Sequence, residues 1–352
     1  MERSPRLQLN GGDSVLTEDV VRSRARKESK TVPDPLPKSK KPTFFARNHH
    51  HAGLFHGDSL SVLKTLPSDA FNVAVTSPPY FWARDYGYEG QIGHEDELQE
   101  YIDSLANVFD EVKRVLHPEG VFFLNIGDTY YSGNGQPHGN DPRCNSRQFM
   151  RKKLRAVDRS GWDLPKKSLI GVPWRVAFEM QRRGWTLRSD IIWNRCNAFS
   201  EATARDRPHR QYEHLFMFTK SRFYSFDRAA LPEEDVWNIP IERSVRIDHN
   251  AAFPSELVKR CIEAASPVGG TVLDPFVGSG TTLDVALSLG RHACGIDMST
   301  DYVDEIRTFM KKSGATASDK EAFLGVLGVE SPHWASWRGN KANFRKPGTK
   351  KS

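Results

Sequence analysis

The chain has 352 residues, of which 38% are hydrophobic and 27% are charged, with a formal net charge of +6. This length is enough for one large α/β domain with extensions or for two smaller domains, and we favour one domain. Without an apolar run of about 18 residues or the apolar core of a signal peptide, we expect neither a membrane span nor a secretory leader. The four cysteines show no CxxC or Cys/His metal spacing, so we expect reduced thiols, no metal site and a cytoplasmic protein.

Both ends of the chain are basic. Residues 1–43 are rich in Ser, Pro and Lys, and we predict a disordered tail there. Residues 44–312 are predicted to form the folded domain, and residues 313–352 to be a basic C-terminal extension. The two tails are either simply solvated or contact nucleic-acid phosphates without regard to sequence.

The first orderly elements follow Leu54. A short strand, a helix within "HGDSLSVLKTLPSDAF" and the apolar strand "FNVAVT" form a strand–helix–strand unit, which is the building block of a parallel sheet. Apolar residues at three- and four-residue spacing then predict a helix from Leu98 to Leu116. We expect "HPEG" to end this helix and "VFFLNIG" to be a buried strand.

The middle of the chain repeats this pattern with interruptions. "VPWRVAFEMQRRG" predicts a helix, "WTLRSDIIW" a strand, and "EHLFMFTKS" with "RFYSFD" two antiparallel strands around a turn. Residues 131–168 have no clear period, and segments of that length inside a domain are usually functional or disordered. Residues 228–248 are the second irregular region.

The stretch "AVTSPPYFWARDYG" joins a buried strand to a rigid turn. Pro78 and Pro79 cannot donate ladder hydrogen bonds and fix their own φ angles, so the strand must stop before them. A rigid turn at the end of a strand is a natural place for a site. The rings of Phe81, Trp82 and Tyr86 either extend a stacking surface or belong to the core.

A second informative stretch is "TVLDPFVGSGTTLDVALSLGRHACGID". It predicts a strand from Thr271 to Asp274, a glycine loop, a helix from Thr281 to Leu289 and a strand ending in Asp297. A glycine loop before a helix, with an acid at the end of the next strand, is typical of a nucleoside cofactor site, although a tight turn can also require glycine. The loop lacks the lysine of a P-loop and the GxGxxG of a dinucleotide site. We expect Asp274 beside the loop to make the site acidic, which suits a cationic nucleoside such as S-adenosylmethionine.

"TSPPY" followed much later by "DPFVGSGTT" resembles the amino-group DNA methyltransferases of the beta class, in which the catalytic motif precedes the cofactor loop. The resemblance runs from about Leu54 to Phe309 and includes "GDSLSVLKTLPS", "RDYGYEGQIGHE", "VFFLNIGDTYY", "LIGVPWRVAFEMQRRGW", "DRPHRQYEHLFMFTKS" and "HNAAFPSELVKRCI". It implies a Rossmann-like, S-adenosylmethionine-dependent α/β fold with this permuted motif order. The sheet is expected to be mixed but mostly parallel and flanked by helices, with one antiparallel strand near the end of the strand order.

The resemblance also implies residue roles. The catalytic motif corresponds to Ser77, Pro78, Pro79 and Tyr80. The cofactor loop corresponds to Asp274, Phe276, Gly278, Ser279, Gly280 and Thr281, while Asp297 corresponds to the ribose acid and Asp58 to the acid near adenine. Phe253, Pro254 and Ser255 match a segment near the methionine end of the cofactor.

The first residue of the catalytic motif carries the base preference in this family. Serine there goes mostly with N4 of cytosine and aspartate mostly with N6 of adenine, so we expect N4-cytosine methylation, with N6-adenine as the alternative. No cysteine follows a proline, so a Pro-Cys nucleophile for ring-carbon methylation is absent from the sequence. A non-catalytic nucleic-acid-binding relative is disfavoured because both motifs are intact, whereas RNA as a substrate stays open.

The predicted partner is double-stranded DNA, and a separate cognate restriction endonuclease is compatible with the sequence. The irregular regions 131–168 and 228–248 are candidates for DNA recognition, by base readout or by phosphate contact alone. Asp206, Arg207 and Arg210 either contact DNA or form a surface ion-pair cluster. The candidate DNA-binding residues are Arg143, Arg147, Arg151, Lys152, Arg207 and Arg210.

Overall fold

The structure is a computed structural model, and it describes residues 40–83, 88, 90–133, 155–198, 206–232, 234–242 and 253–328. In these ranges the strands are β1 (Thr43–Arg47), β2 (His50–His56), β3 (Phe71–Thr76), β4 (Leu116–Ile126), β5 (Thr186–Asn194), β6 (Tyr212–Thr219), β7 (Val236–Asn238), β8 (Thr271–Asp274), β9 (His292–Asp297) and β10 (Thr316–Ala317). The helices are α1 (Ser59–Leu63), α2 (Leu98–Val115), α3 (Val172–Arg182), α4 (Ser255–Ala265), α5 (Thr281–Ser288), α6 (Thr300–Lys312) and α7 (Lys320–Gly328).

These strands form a single sheet in the order β10-β1-β2-β9-β8-β3-β4-β6-β5-β7. The five central strands, from β2 to β4 in that order, are all parallel. Strand β6 is antiparallel to β4 and β5, as the resemblance implied, and β1 at the other side is antiparallel to β2 and β10. The expected mixed, mostly parallel sheet is therefore confirmed.

Helices cover both faces of the sheet. One apolar cluster joins the sheet to α1, α2, α3 and α7, and a second joins it to α4, α5 and α6. Strand β3 is buried along its whole length because it lies at the centre between these two layers. Within the described ranges, no helix is both long and apolar enough to cross a membrane.

Most elements lie where the sequence predicts them, with three differences. Helix α1 ends at Leu63, although Leu66 is still buried with it. "HPEG" is part of strand β4, which begins at Leu116 opposite Phe71. The predicted strand over "RFYSFD" is wrong, because this segment is not a strand of the sheet; its Ser225 donates hydrogen bonds to Glu119 of β4 from both its amide and its hydroxyl.

The sheet also reaches beyond the predicted domain boundary at residue 312. Strand β10 pairs with β1, and Phe323 of α7 is buried against Phe44 and Phe55. A Cβ atom on Gly53 would lie 2.8 Å from the Phe323 ring, so this helix packs directly on β2. The part of the C-terminal extension up to Gly328 therefore belongs to the folded unit, whereas residues 1–39 and 329–352 lie outside the described residues.

Candidate active site

The carboxyl ends of four neighbouring parallel strands meet at one edge of the sheet. They belong to β2, β9, β8 and β3, and the loops that follow them line a cleft. The cleft has an empty volume of about 1080 Å³ when the solvent at its mouth is included. Its lining includes eleven of the fifteen predicted catalytic and cofactor residues: Asp58, Ser77, Pro78, Pro79, Tyr80, Phe253, Phe276, Gly278, Ser279, Thr281 and Asp297.

The glycine loop follows β8 and turns directly into α5. Gly278 and Gly280 have φ angles of 50° and 80°, a region that suits glycine. A Cβ atom on Gly280 would also lie 3.1 Å from the Ile306 side chain, so this position allows α6 to pack closely. The Gly278 amide donates a hydrogen bond to the Asp297 carboxylate at 2.9 Å, so this amide is used to tie the loop to β9.

Asp297 lies at the end of β9 and lines the cleft. Its two carboxylate oxygens accept hydrogen bonds from the amides of Gly278 (2.9 Å) and Ser299 (2.7 Å). Surrounding protein atoms desolvate the carboxyl, and this burial, with a smaller contribution from the charge of Asp274, raises the pKa of Asp297 to about 7. The acid predicted to bind ribose is therefore held in a fixed orientation and titrates near neutral pH.

Asp274 does not line the cleft, contrary to the expectation that it makes the site acidic. Its carboxylate is 1% exposed and accepts hydrogen bonds from the hydroxyls of Thr76 and Thr282, both at 2.6 Å, and from the Phe276 amide. Burial raises the pKa of Asp274 to about 6. Asp274 thus joins β3, the glycine loop and α5 beneath the cleft, which is a positioning role.

Of four further predicted cofactor residues, two line the cleft and two do not. Asp58 lines the cleft and also caps α1, where its carboxylate accepts hydrogen bonds from the Ser61 amide and hydroxyl. Phe253 lines the cleft, whereas Pro254 is buried as the residue before α4. Ser255 begins this helix and donates a hydrogen bond to Glu242, outside the cleft lining.

The turn after β3 is held from several sides. The Tyr101 hydroxyl of α2 donates a hydrogen bond to the Pro79 carbonyl at 2.9 Å, and the Trp82 amide donates to the Gly93 carbonyl at 2.7 Å. A Cβ atom on Gly93 would lie 3.0 Å from the Tyr80 carbonyl oxygen, so the neighbouring loop packs closely on the turn. These contacts and the two prolines leave Ser77 and Pro78 at a fixed place in the cleft wall.

Phe81 and Trp82 belong to the core. Both are buried, and Phe81 packs against Tyr101 with ring centroids 5.1 Å apart. Trp82 stacks on His94 and donates its indole N–H to the Glu95 carbonyl. The core interpretation of these two rings is therefore supported, and Tyr86 lies outside the described residues.

A polar network lies behind the turn after β3, and the sequence did not identify its members Asn125 and Glu213. The Tyr80 hydroxyl donates to Glu213 at 2.7 Å, and it accepts from Ser77 at 3.2 Å and from Asn125 at 3.0 Å. Arg195 donates to the second carboxylate oxygen of Glu213 at 2.9 Å. Burial, reinforced by the charge of Glu213, raises the pKa of Tyr80 well above its usual value, so this phenol stays protonated.

The candidate DNA-contact residues lie beside this network. The guanidinium of Arg207 lies 3.9 Å from the centre of the Tyr130 ring and that of Arg210 lies 5.4 Å from it. Arg210 also donates a hydrogen bond to the Asp128 carbonyl, while Asp206 forms an exposed ion pair with Lys167 at 2.6 Å. Arg143, Arg147, Arg151 and Lys152 lie outside the described residues.

Several cleft residues were not identified from the sequence. They are Ser59, Ala83, Gly90, Ile92, Val277, Met298 and Tyr302. Most of them lie next to a predicted motif, so only their neighbourhood could have indicated them. The sequence did contain a signal for Glu213. It is an acid near the start of an apolar strand, and such an acid must lie at the end of the sheet where that strand begins.

The side chains that line the cleft suit a nucleoside ligand that carries a positive charge. Asp58 and Asp297 supply carboxylates, and Phe253 and Phe276 supply partly exposed aromatic surfaces. Among the described residues, no group of His, Cys, Asp and Glu is arranged to hold a metal ion.

Comparison with known proteins identifies the family of the chain. A family model described as DNA methylase, of the N6/N4 methyltransferase type, matches residues 71–308. The type II methyltransferase M.Cfr9I of Citrobacter freundii is 43% identical over 263 residues, covering 72% of this chain and 85% of its own. M.SmaI of Serratia marcescens, also a type II methyltransferase, is 41% identical over 258 residues, covering 70% of this chain and 86% of its own.

Solved structures share the fold. The PvuII DNA methyltransferase, described as cytosine-N4-specific, superimposes with a TM-score of 0.60 at 20% identity, covering 82% of this chain and 95% of its own. A DNA modification methylase of Thermus thermophilus, complexed with S-adenosyl-L-methionine and described as putative, gives a TM-score of 0.53 at 24% identity, covering 76% and 98%. The chain therefore belongs to the N6/N4 DNA methylase family.

Proposed function

We propose that this enzyme methylates the exocyclic N4 amine of cytosine in duplex DNA, at a base turned out of the helix. The observation that carries the proposal is a serine, Ser77, as the first residue of the catalytic turn in the cleft wall. In the family that the motifs resemble, serine at this position goes mostly with cytosine. The family as a whole includes both N4-cytosine and N6-adenine enzymes, so the choice of base depends on this residue.

The chemistry requires hydrogen-bond acceptors and a fixed geometry. The lone pair of an exocyclic amine is conjugated with the base, and it becomes nucleophilic when the two amine hydrogens are held by acceptors. We propose that the Ser77 hydroxyl oxygen and the Pro78 carbonyl are these acceptors, since both residues line the cleft. Holding reactants in a near-attack geometry can supply roughly 7–11 kcal/mol of the barrier in favourable cases.

Tyr80 offers the surface on which the base would rest. A base in a duplex has its amine in the stack, so it must leave the helix to be methylated. The Tyr80 ring lines the cleft beside Ser77, and its hydroxyl is fixed by Glu213. Stacking on this ring would hold the base with its amine towards Ser77.

We propose that Asp297 binds the ribose hydroxyls of the cofactor, that Asp58 lies near its adenine, and that Phe253 and Phe276 border it. When bound, S-adenosyl-L-methionine supplies an electrophilic methyl group on a positively charged sulfur. The aromatic edges and carboxylates would orient the cofactor and exclude water from the reaction. The two sets of residues line one continuous cleft, which supports a direct transfer without a covalent enzyme intermediate.

DNA contacts are proposed at Arg207 and Arg210, whose guanidinium groups lie near the Tyr130 ring. Phosphate contacts of this kind give affinity without base reading. The base-reading residues are proposed to lie in 131–168 and 228–248. The first of these ranges includes Arg143, Arg147, Arg151 and Lys152. We also propose a cytoplasmic enzyme that protects DNA against a separate cognate endonuclease.

Identification of the methylated nucleoside tests the proposal. Whole-genome DNA amplified in vitro contains no methylated cytosine or adenine, and it would be incubated with the enzyme and methyl-labelled S-adenosylmethionine. The product would be digested to nucleosides and identified by liquid chromatography and mass spectrometry, with Ser77→Ala as the control. N4-methylcytosine that disappears in the variant is the expected result. N6-methyladenine would overturn the base assignment, and methylation at the wild-type rate by Ser77→Ala would overturn the role of Ser77.

A further inference from the structure

The hydroxyl groups behind the catalytic turn form a directed chain. A phenol has one proton to donate and two lone pairs to accept with. The Tyr80 hydroxyl is 2.7 Å from Glu213, 3.0 Å from the amide nitrogen of Asn125 and 3.2 Å from the Ser77 oxygen. The amide nitrogen of Asn125 can only donate, and a carboxylate can only accept, so the Tyr80 proton lies towards Glu213.

This assignment fixes the direction of the remaining hydrogen bond. With its only proton on the Glu213 side and one lone pair taken by Asn125, the Tyr80 oxygen can only accept from Ser77. The Ser77 proton then lies towards Tyr80, away from the base. The Asn125 amide nitrogen also lies 3.5 Å from the Ser77 oxygen, so one lone pair of that oxygen faces this donor and the other is left for a donor in the cleft, which Ser77 lines.

We propose that Glu213 is a positioning residue for methyl transfer: acting through the Tyr80 hydroxyl, it turns the Ser77 hydroxyl into an acceptor for the target amine. The inference rests on the proposed catalytic role of Ser77. Chains of hydrogen bonds polarise one another, so a charged end strengthens the whole chain. Without it, the Ser77 hydroxyl could rotate and present its proton to the amine nitrogen, which would oppose the reaction.

The surroundings of Glu213 support a charged carboxylate. One of its oxygens accepts from Tyr80 and Asn125, and the other accepts from Arg195 at 2.9 Å. Its side chain is 13% exposed, so the carboxylate is largely screened from water and directed to these partners. Strand β6 runs antiparallel to β4, which brings its first residues to the end of the sheet where the catalytic turn lies.

The test measures single-turnover transfer of labelled methyl groups to DNA, together with the dissociation constant for the cofactor. The assay counts methyl groups on any base, so it does not depend on the N4-cytosine assignment. Tyr80→Phe keeps the ring and removes the hydroxyl, and Glu213→Gln keeps the shape and removes the charge. Each change is expected to slow transfer about tenfold with cofactor affinity within about twofold of wild type.

A double variant separates this role from general support of the fold. Because Tyr80→Phe and Glu213→Gln interrupt one chain, the double variant should be no slower than the slower single variant. Losses that multiply, or losses confined to cofactor affinity, would overturn the inference. Asp190→Asn is the matched control, since Asp190 pairs with His214 on the adjacent strand, and it should transfer methyl groups at the wild-type rate.

Ser77→Ala separates failure of the inference from failure of the proposed function. Methyl transfer at the wild-type rate by Ser77→Ala would overturn both the proposed function of Ser77 and the inference about Glu213. Slow transfer by Ser77→Ala with normal transfer by Glu213→Gln would overturn the inference alone. When Ser77→Ala keeps measurable turnover, adding Glu213→Gln should change it by less than about twofold, because the group to be oriented is gone.

Discussion

Cofactor binding should depend on pH through Asp297. Burial raises the pKa of this carboxyl to about 7, so near neutral pH about half of the free protein carries a proton there. Ribose hydroxyls donate best to the ionised form, so binding releases that proton and affinity increases with pH. Between pH 8 and pH 6 the ionised fraction falls from about 0.9 to about 0.1, and the affinity should fall about tenfold.

Asp297→Asn removes both the charge and its titration. A hydrogen bond to a charged group contributes about 1.5–3 kcal/mol, so the variant should bind the cofactor about 10- to 100-fold more weakly at pH 8. The amide has one acceptor oxygen where the carboxylate offers two to the Gly278 and Ser299 amides, so part of this loss comes from a looser loop. At pH 6 the wild type itself binds the cofactor more weakly, so the ratio of the two affinities should be about ten times smaller than at pH 8.

Isothermal titration calorimetry at pH 6, 7 and 8 measures both effects. Repeating the pH 7 titration in buffers of different ionisation enthalpy counts the protons released, which we expect to be about half a proton per cofactor bound. The Asn variant also subtracts any titration of the cofactor itself. A flat affinity for the wild type between pH 6 and pH 8, or the same slope in the variant, would refute the reasoning.

Three further changes test other parts of the molecule. Gly127→Ala would bring a Cβ atom to 2.9 Å from the Tyr80 ring, so methyl transfer should slow at least about tenfold with the fold intact by circular dichroism. Gly325→Ala, whose Cβ would have no atom within 4 Å, is the matched control. Asp158→Asn leaves its buried arginine partner, 2.6 Å away, without a counter-charge, so the free energy of unfolding, measured in urea, should fall by about 3 kcal/mol. Asp206 forms an exposed ion pair, so Asp206→Asn should leave the urea midpoint of unfolding unchanged. Arg207→Ala should weaken DNA binding and reduce the slope of log affinity against log salt by about 1, and an unchanged slope would remove it from the phosphate contacts.

Local sequence patterns were sufficient to predict the strands and the loop around the cleft. "FNVAVT" is mostly apolar, as the buried centre of a parallel sheet requires, so β3 was predicted with the bounds that it has. The glycine loop between β8 and α5 was predictable for the same kind of reason, since few residues other than glycine adopt its φ angles. Such requirements depend on neighbours in the chain, which the sequence displays directly.

Features that depend on distant partners were not predictable in this way. Asp274 and Asp297 both end parallel strands, yet only Asp297 lines the cleft, because Thr76 and Thr282 surround the Asp274 carboxylate. "RFYSFD" has the aromatic residues of a strand, but β6 already has β4 and β5 as partners on its two sides. The order of the strands decides both outcomes, and periodicity along the chain does not contain that order.

The rigidity of the catalytic turn has a chemical purpose if Ser77 and Pro78 are the acceptors that we propose. Methyl transfer to an amine needs no nucleophilic side chain, so the enzyme can contribute only through placement and polarity. Acceptors that were free to move would first have to be oriented, and that cost would be added to the barrier. The two prolines and the Tyr101 hydrogen bond fix the backbone, while Tyr80 fixes the side chain of Ser77 through its hydroxyl. Both acceptors would therefore be in position before the base enters.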